Sequence, residues 1–287
     1  MKILIAVDGS SQSTHLAQAL RAFSPGHEIF LLHVIHVPQL AYPGTGMTVG
    51  HAFVKQAKEA MHTEGMGILE EMTSKIPPDV GKVHKRIKPG PPAEVILDLA
   101  GEEKVDLMII GSRGLGMIRE HALGSVSHRV ATHSRCSTLV IKSSMGQLKH
   151  VQIPIEHKED GDQAIEFLSE RPFPKAVHIS LLHVIPFLQA ALPIGALIPE
   201  TFKKELRDGA EQFLGDLAAR VSSLGYSASF DVIAGAPSHS IRERAQAKNV
   251  DLIMMGIRRE RALNRFLFGS VSHSVLHHAS CSVLLLK

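Results

Sequence analysis

Cysteine is scarce in this chain: 287 residues hold two, Cys136 and Cys281. Two thiols make no disulfide framework. One falls in each half, just before an apolar run, so buried reduced thiols are expected, with a single bridge between them left open. Charge of one sign is scarce as well. Lysine and arginine number 31 against 28 acids, an excess too small to argue for nucleic acid. Long hydrophobic runs are missing. Met1-Lys-Ile-Leu-Ile-Ala-Val-Asp8 has a short apolar run that ends on an acid, which reads as a strand and not a signal peptide. The stretch from Phe187 to Pro199 is broken by prolines and too short to span a bilayer. A cytoplasmic location is therefore expected. Also missing are a Walker loop, a Gly-x-Gly-x-x-Gly after the first strand, a Cys-x-x-Cys pair and a Gly-x-Ser-x-Gly elbow. Their absence argues against P-loop enzymes, dinucleotide dehydrogenases, dithiol redox proteins and α/β-hydrolases.

What is present is a duplication. Val105-Asp-Leu-Met-Ile-Ile-Gly-Ser-Arg113 returns as Val250-Asp-Leu-Ile-Met-Met-Gly-Ile-Arg258, 145 residues later. Gly124 to Lys142 returns as Gly269 to Lys287 with 11 of 19 positions identical. Leu31-Leu-His-Val-Ile35 returns as Leu181-Leu-His-Val-Ile185. A period of this length is a whole domain and not a solenoid repeat. Two domains are expected, 1–143 and 149–287, joined by the short polar stretch Ser143 to Lys149.

Within the first half, Lys2–Val7, Glu28–Ile35, Lys82–Ile87, Val105–Ile110 and Thr138–Ile141 read as strands, alternating with helical stretches. Ser10 or Ser11 is placed to cap the first helix. Phe53 to Ile76 has a helical pattern weakened by Gly65 and Gly67, and Pro92 opens another helix. The loop from Pro38 to Gly50 is long enough for a lid. Strands alternating with helices predict an α/β fold with a doubly wound parallel sheet, order 3-2-1-4-5, in each half. The last strands of the halves, Thr138–Ile141 and Ser282–Leu286, are apolar edges that gain by pairing with each other.

In such a sheet, ligands bind beyond the strand ends at the point where the order reverses. That point brings Asp8, ending the first strand, to Gly111, ending the fourth. Gly111-Ser-Arg-Gly114, nine further residues, then Gly124-Ser125 make a phosphate cradle. Gly111 and Gly114 can take positive φ and leave room for a polyanion against the backbone. Gly124-Ser125 opens a helix whose N–H groups favour anions. Arg113 and Arg119 lie within reach of the same phosphates.

These residues resemble the universal stress protein family, whose ATP-binding members carry Gly-x2-Gly-x9-Gly-Ser/Thr; Val7-Asp8-Gly9-Ser10 also matches its first turn. The resemblance covers both halves and is that of a tandem member. It implies bound ATP with Mg2+ and a regulatory role in the stress response; the alternative is a slow ATPase or nucleotidyl-transferring enzyme of the same fold. It places Asp8 near ribose and metal, Ala6 and Val7 along the base, and the Val34 backbone against adenine. Gly111, Arg113, Gly114, Gly124, Ser125 and Val126 would hold ribose and phosphates. It also implies dimerisation through the last strand, here within one chain, with a homodimer left open.

The second half departs from the motif. Glu156 and His157 stand at the positions of Asp8 and Gly9, Arg259 replaces the second glycine, and Phe266-Leu267-Phe268 precedes Gly269. One nucleotide per chain, in the first half, is expected. The 18 histidines, including His33, His36 and His183, read as structural or solvated because no third ligand has metal-site spacing. Ser127-His128 and Ser272-His273 are adjacent on a helix and point apart, so neither is a catalytic dyad.

Overall fold

The computed structural model describes residues 1–10, 12–36, 51–114, 123–186, 199–257, 259–260, 265–266 and 269–287. The first half runs β1 (Lys2–Val7), α1 (Ser13–Ala19), β2 (His27–Ile35), α2 (His51–Lys75), β3 (Gly81–Pro89), α3 (Pro92–Glu102), β4 (Leu107–Gly111), α4 (Ser125–His133) and β5 (Ser137–Ile141). The second runs β6 (His150–Pro154), α5 (Lys158–Ser169), β7 (His178–Ile185), α6 (Glu200–Ser223), β8 (Ser227–Ala234), α7 (Pro237–Ala247) and β9 (Leu252–Gly256). It closes with a small ladder, β10 (Arg259–Glu260) and β11 (Arg265–Phe266), then α8 (Ser270–His278) and β12 (Ser282–Leu286).

Ten strands form one sheet in the order β3-β2-β1-β4-β5-β12-β9-β6-β7-β8. Each half is therefore 3-2-1-4-5 in its own count, with parallel pairs such as β1 with β4. The halves meet where β5 and β12 pair antiparallel, Leu139 opposite Leu284. Every residue of both strands is buried, as continuous apolar strands covered on both faces must be. Leu139 and Leu284 are equivalent positions of the repeat, so the pseudo-two-fold axis runs between them. On one face Phe23 packs on its counterpart Phe173, ring centres 5.6 Å apart. The core on each face is continuous across the seam.

Two lysines tie the seam reciprocally. Lys142 Nζ donates to the Ala279 carbonyl at 2.8 Å. Lys287 Nζ donates to Ala131 at 2.9 Å and Ser134 at 2.7 Å. Each ammonium thus meets the C-terminal end of the other half's last helix, where cations are favoured. Burial pulls both lysines down to about 8. The join is less polar in place than in sequence: Met145 and Leu148 are buried in the core. Cys136 and Cys281 are free thiols. Burial pushes Cys136 up and Cys281 up to about 11, so neither is a reactive thiolate at neutral pH.

Gly65 and Gly67 do not interrupt α2. A Cβ on Gly65 would lie 2.7 Å from the His33 ring, so this glycine lets the helix pack closely on β2. His33 Nδ1 in turn bonds the Val7 carbonyl at 3.0 Å, and its counterpart His183 bonds Ile155 at 2.8 Å. His36 Nδ1 meets the Gly90 carbonyl at 3.2 Å. These three histidines tie strand ends together.

Candidate functional site

Asp8 leaves β1 and enters a tight turn. Gly9 has φ +79°, and a Cβ there would lie 2.7 Å from Ile68, so only glycine fits. Asp8 Oδ1 accepts from the Ser10 N–H at 3.0 Å and the Ser13 hydroxyl at 3.2 Å. The expected cap differs. Helix α1 has Gln12 at its N-cap position and no side-chain cap. A carboxylate two residues before Ser10 outcompetes a hydroxyl as acceptor and closes the turn itself; Ser11 lies outside the described residues.

Strand β4 lies beside β1 and ends at Gly111. The Ser127 hydroxyl donates to the Gly111 carbonyl at 2.6 Å, and the Gly124 N–H donates to Ser112 at 2.8 Å. Both bonds draw the start of α4 over the strand end. Gly124 is the N-cap, without any side-chain cap, so the first-turn N–H groups face the cleft with no intrahelical partner.

The motif glycines act through space and not through φ. The described glycines with positive φ are Gly9, Gly26, Gly81, Gly90 and Gly225; Gly111 and Gly114 do not use that freedom. Their reason is proximity. A Cβ on Gly114 would stand 2.6 Å from Asp8 Oδ2, and one on Gly111 3.1 Å from the Arg113 carbonyl. At Gly114 two segments about a hundred residues apart approach this closely; at Gly111 the tight contact is within the turn itself.

The result is a cleft of about 520 Å³, within the range of small-molecule sites. All ten predicted residues line it: Ala6, Val7, Asp8, Val34, Gly111, Arg113, Gly114, Gly124, Ser125 and Val126. Its inner wall is apolar, with Leu32, Ile96 and Ile110 beside Ala6 and Val34. Its other end has the glycine turn and the α4 N-terminus. Sequence reasoning missed Gln12. With its amide oriented by its hydrogen bonds, Gln12 accepts from Arg113 Nε at 3.0 Å and Nη2 at 3.1 Å, which aims the guanidinium along the glycine turn. Nothing in the local pattern marks a pair so far apart in sequence. Arg119 and the 38–50 loop fall outside the described residues.

The second half has its own cleft of about 500 Å³ in the same place. Its charge differs. Asp160, at the position of Gln12, accepts from the N–H groups of Glu156 and His157 at 2.9 and 2.8 Å. A Cβ on Gly256 would lie 2.4 Å from Gln163 Oε1 and 3.2 Å from Asp160 Oδ1. A carboxylate and an amide oxygen crowd this glycine turn. Arg259 opens the β10–β11 ladder, opposite Phe266.

Residues 1–142 and again 147–287 match the universal stress protein family. The chain belongs to that family. Its two domains are both universal stress protein domains. The Bacillus subtilis universal stress protein YxiE is 31% identical over 146 residues, 49% of this chain and 98% of its own length. A universal stress protein of Mycolicibacterium smegmatis is 23% identical over 304 residues, covering 99% of this chain and 96% of its own. The crystal structure of a universal stress protein from Archaeoglobus fulgidus matches 100% of this chain and 98% of that one, at TM-score 0.69 and 19% identity. That likeness concerns the fold. No described helix is long and apolar enough to cross a membrane.

Proposed function

We propose that the first domain binds one ATP per chain and that the protein works as a nucleotide-dependent regulator in the stress response. One observation carries the reading. A single cleft joins an apolar slot to a glycine turn and an uncapped helix N-terminus, with Asp8 opposite. The slot between Ala6, Leu32, Val34 and Ile96 suits a purine ring. Gly111, Gly114, Gly124, Ser125 and Val126 offer backbone and hydroxyl donors to phosphates, and Arg113, held by Gln12, adds charge. Asp8 suits ribose hydroxyls or a hard cation. Mg2+ bound with the nucleotide would neutralise phosphate charge.

A binding role fits better than hydrolysis. Asp8 is the acid beside the phosphate end, and its Oδ1 is already engaged by Ser10 and Ser13, which suits orientation more than proton transfer. The second domain offers Glu156 and Asp160 where the first offers Asp8 and Gln12, an arrangement that repels phosphate. A cytoplasmic location, where ATP is abundant, goes with this reading.

The test is calorimetry with MgATP. One site per chain is expected. Gly114→Arg should weaken binding about a hundredfold, roughly 3 kcal/mol, because the new side chain fills the turn and displaces Asp8. Two equivalent sites, or unchanged affinity in the variant, would remove the proposal.

A further inference from the structure

The pseudo-two-fold axis emerges, on the face opposite Phe23 and Phe173, between α4 and α8. Three histidines meet there. His128 belongs to the first domain; His273 and His277 belong to the second. One ring nitrogen of each lies within 4.8 Å of the others. His128 and His273 are equivalent positions of the repeat and face each other with ring centres 5.8 Å apart. His277 Nε2 is 3.3 Å from His128 Nδ1. The position equivalent to His277 in the first domain is Thr132, so the third imidazole exists on one side only.

The geometry points to a transition-metal site of three histidines that clamps the two domains together, with Zn2+ as the representative ion. Three features carry this. First, His273 and His277 are four apart on one helix, with rings 4.3 Å apart, the spacing by which a helix presents two imidazoles to one ion. Second, two nitrogens bound tetrahedrally to Zn2+ at about 2.1 Å are about 3.4 Å apart. The His277–His128 pair already has that separation, and the third nitrogen, within 4.8 Å of both, closes the remaining gap of at most about 1.4 Å by rotation of its side chain. A shared proton would account for that pair alone; it does not account for a third donor converging from the same side. Third, His273 is exposed while His128 and His277 are half-buried, so the site opens to solvent and leaves a fourth position for water. Three imidazoles and no thiolate favour a borderline divalent ion over Mg2+ or Ca2+. Lys142 also faces His277, but its Nζ is turned to the Ala279 carbonyl.

The ligands come from both domains, so the ion would bind the paired arrangement and stabilise it by mass action. None of the three histidines lines the nucleotide cleft.

The experiment uses the tag-free full chain, stripped with EDTA and titrated with Zn2+. One ion per chain should bind, and the thermal midpoint should rise about 5–10 °C at a hundredfold excess over Kd. His277→Thr, which copies the first domain, should weaken binding tenfold or more, since even outer-shell changes cost about 10–100-fold. His128→Ala, on the other domain, should do the same. His239→Ala, an exposed histidine elsewhere, should change nothing. Circular dichroism in EDTA checks that the variants fold. For the unaltered chain, Co2+ should give a visible absorption band of tetrahedral nitrogen ligation that Zn2+ quenches. Zn2+ binding unaltered by His277→Thr and His128→Ala, or no midpoint shift and no Co2+ band, would overturn the site.

Discussion

At the scale of single residues, buried histidines make this protein sensitive to acid. Burial lowers His27, with the N-terminal ammonium acting in the same direction. Burial also lowers His150, opposed by its bond to the Lys248 carbonyl. A histidine with a depressed folded-state value is protonated first in the unfolded chain, whose value is about 6.5. The stabilisation is complete above that pH and is lost as pH falls through the lower folded value. The histidine contribution should therefore hold from pH 8 to 7, a range in which Lys142 and Lys287, at about 8, take up their own protons; below 6.5 the midpoint should drop by about 2–4 °C per kcal/mol lost. Scans of His27→Phe, which keeps a ring beside Phe23, should show a shallower drop. An equal or steeper drop in the variant would assign the acid sensitivity elsewhere. The same scale explains Gly114 and Gly65. Each is a glycine because a particular neighbour, Asp8 or His33, stands where its Cβ would grow.

At the scale of elements, the last helix of each domain has two working ends. The N-terminus of α4 opens to the cleft, and its C-terminal carbonyls are taken by Lys287 of the other domain. Lys142 does the same for the helix preceding β12. Replacing Lys287 by Met keeps the buried stem and removes the donor, leaving the Ala131 and Ser134 carbonyls unserved. The expected loss is about 1.5–3 kcal/mol, the range for hydrogen bonds to charged groups. Urea unfolding should show it as a lower midpoint. Lys142→Met, which releases one carbonyl, should cost less. A larger loss for Lys142→Met than for Lys287→Met would mean that the carbonyl bonds are not what the lysines contribute.

At the scale of the whole molecule, the seam turns two five-stranded sheets into one of ten strands. It removes two apolar edges that would otherwise be open to other chains. The short join keeps the partner strand near at all times, so the pairing is effectively intramolecular. Residues 1–144 expressed alone lose that partner. They should dimerise through their own β5, in the antiparallel register that places Leu139 opposite Leu139. Light scattering should report twice the chain mass at tens of micromolar. A clean monomer at high concentration would count against the seam as the reason for the arrangement.

The sequence by itself determined the duplication and the alternation of strands with helices. These are properties of spacing: period-two and period-3.6 patterns, glycines where the chain turns, and a repeat offset visible at once in Gly124–Lys142 and Gly269–Lys287. The topology also brought Asp8 and Gly111 to one place, because β1 and β4 end side by side; Ala6, Val7, Val34 and Val126 came from the family resemblance. The sequence suggested that the last strands pair. The tertiary structure alone decided the rest. Gln12 meets Arg113, Asp8 excludes a side chain at Gly114, and Met145 and Leu148 enter the core from a join that reads as polar. Lys142 and Lys287 cross the seam, and His128 meets His273 and His277. Each of these depends on how two distant segments approach after packing. Local periodicity records which face of an element is buried, but not which side chain of another element it will meet there.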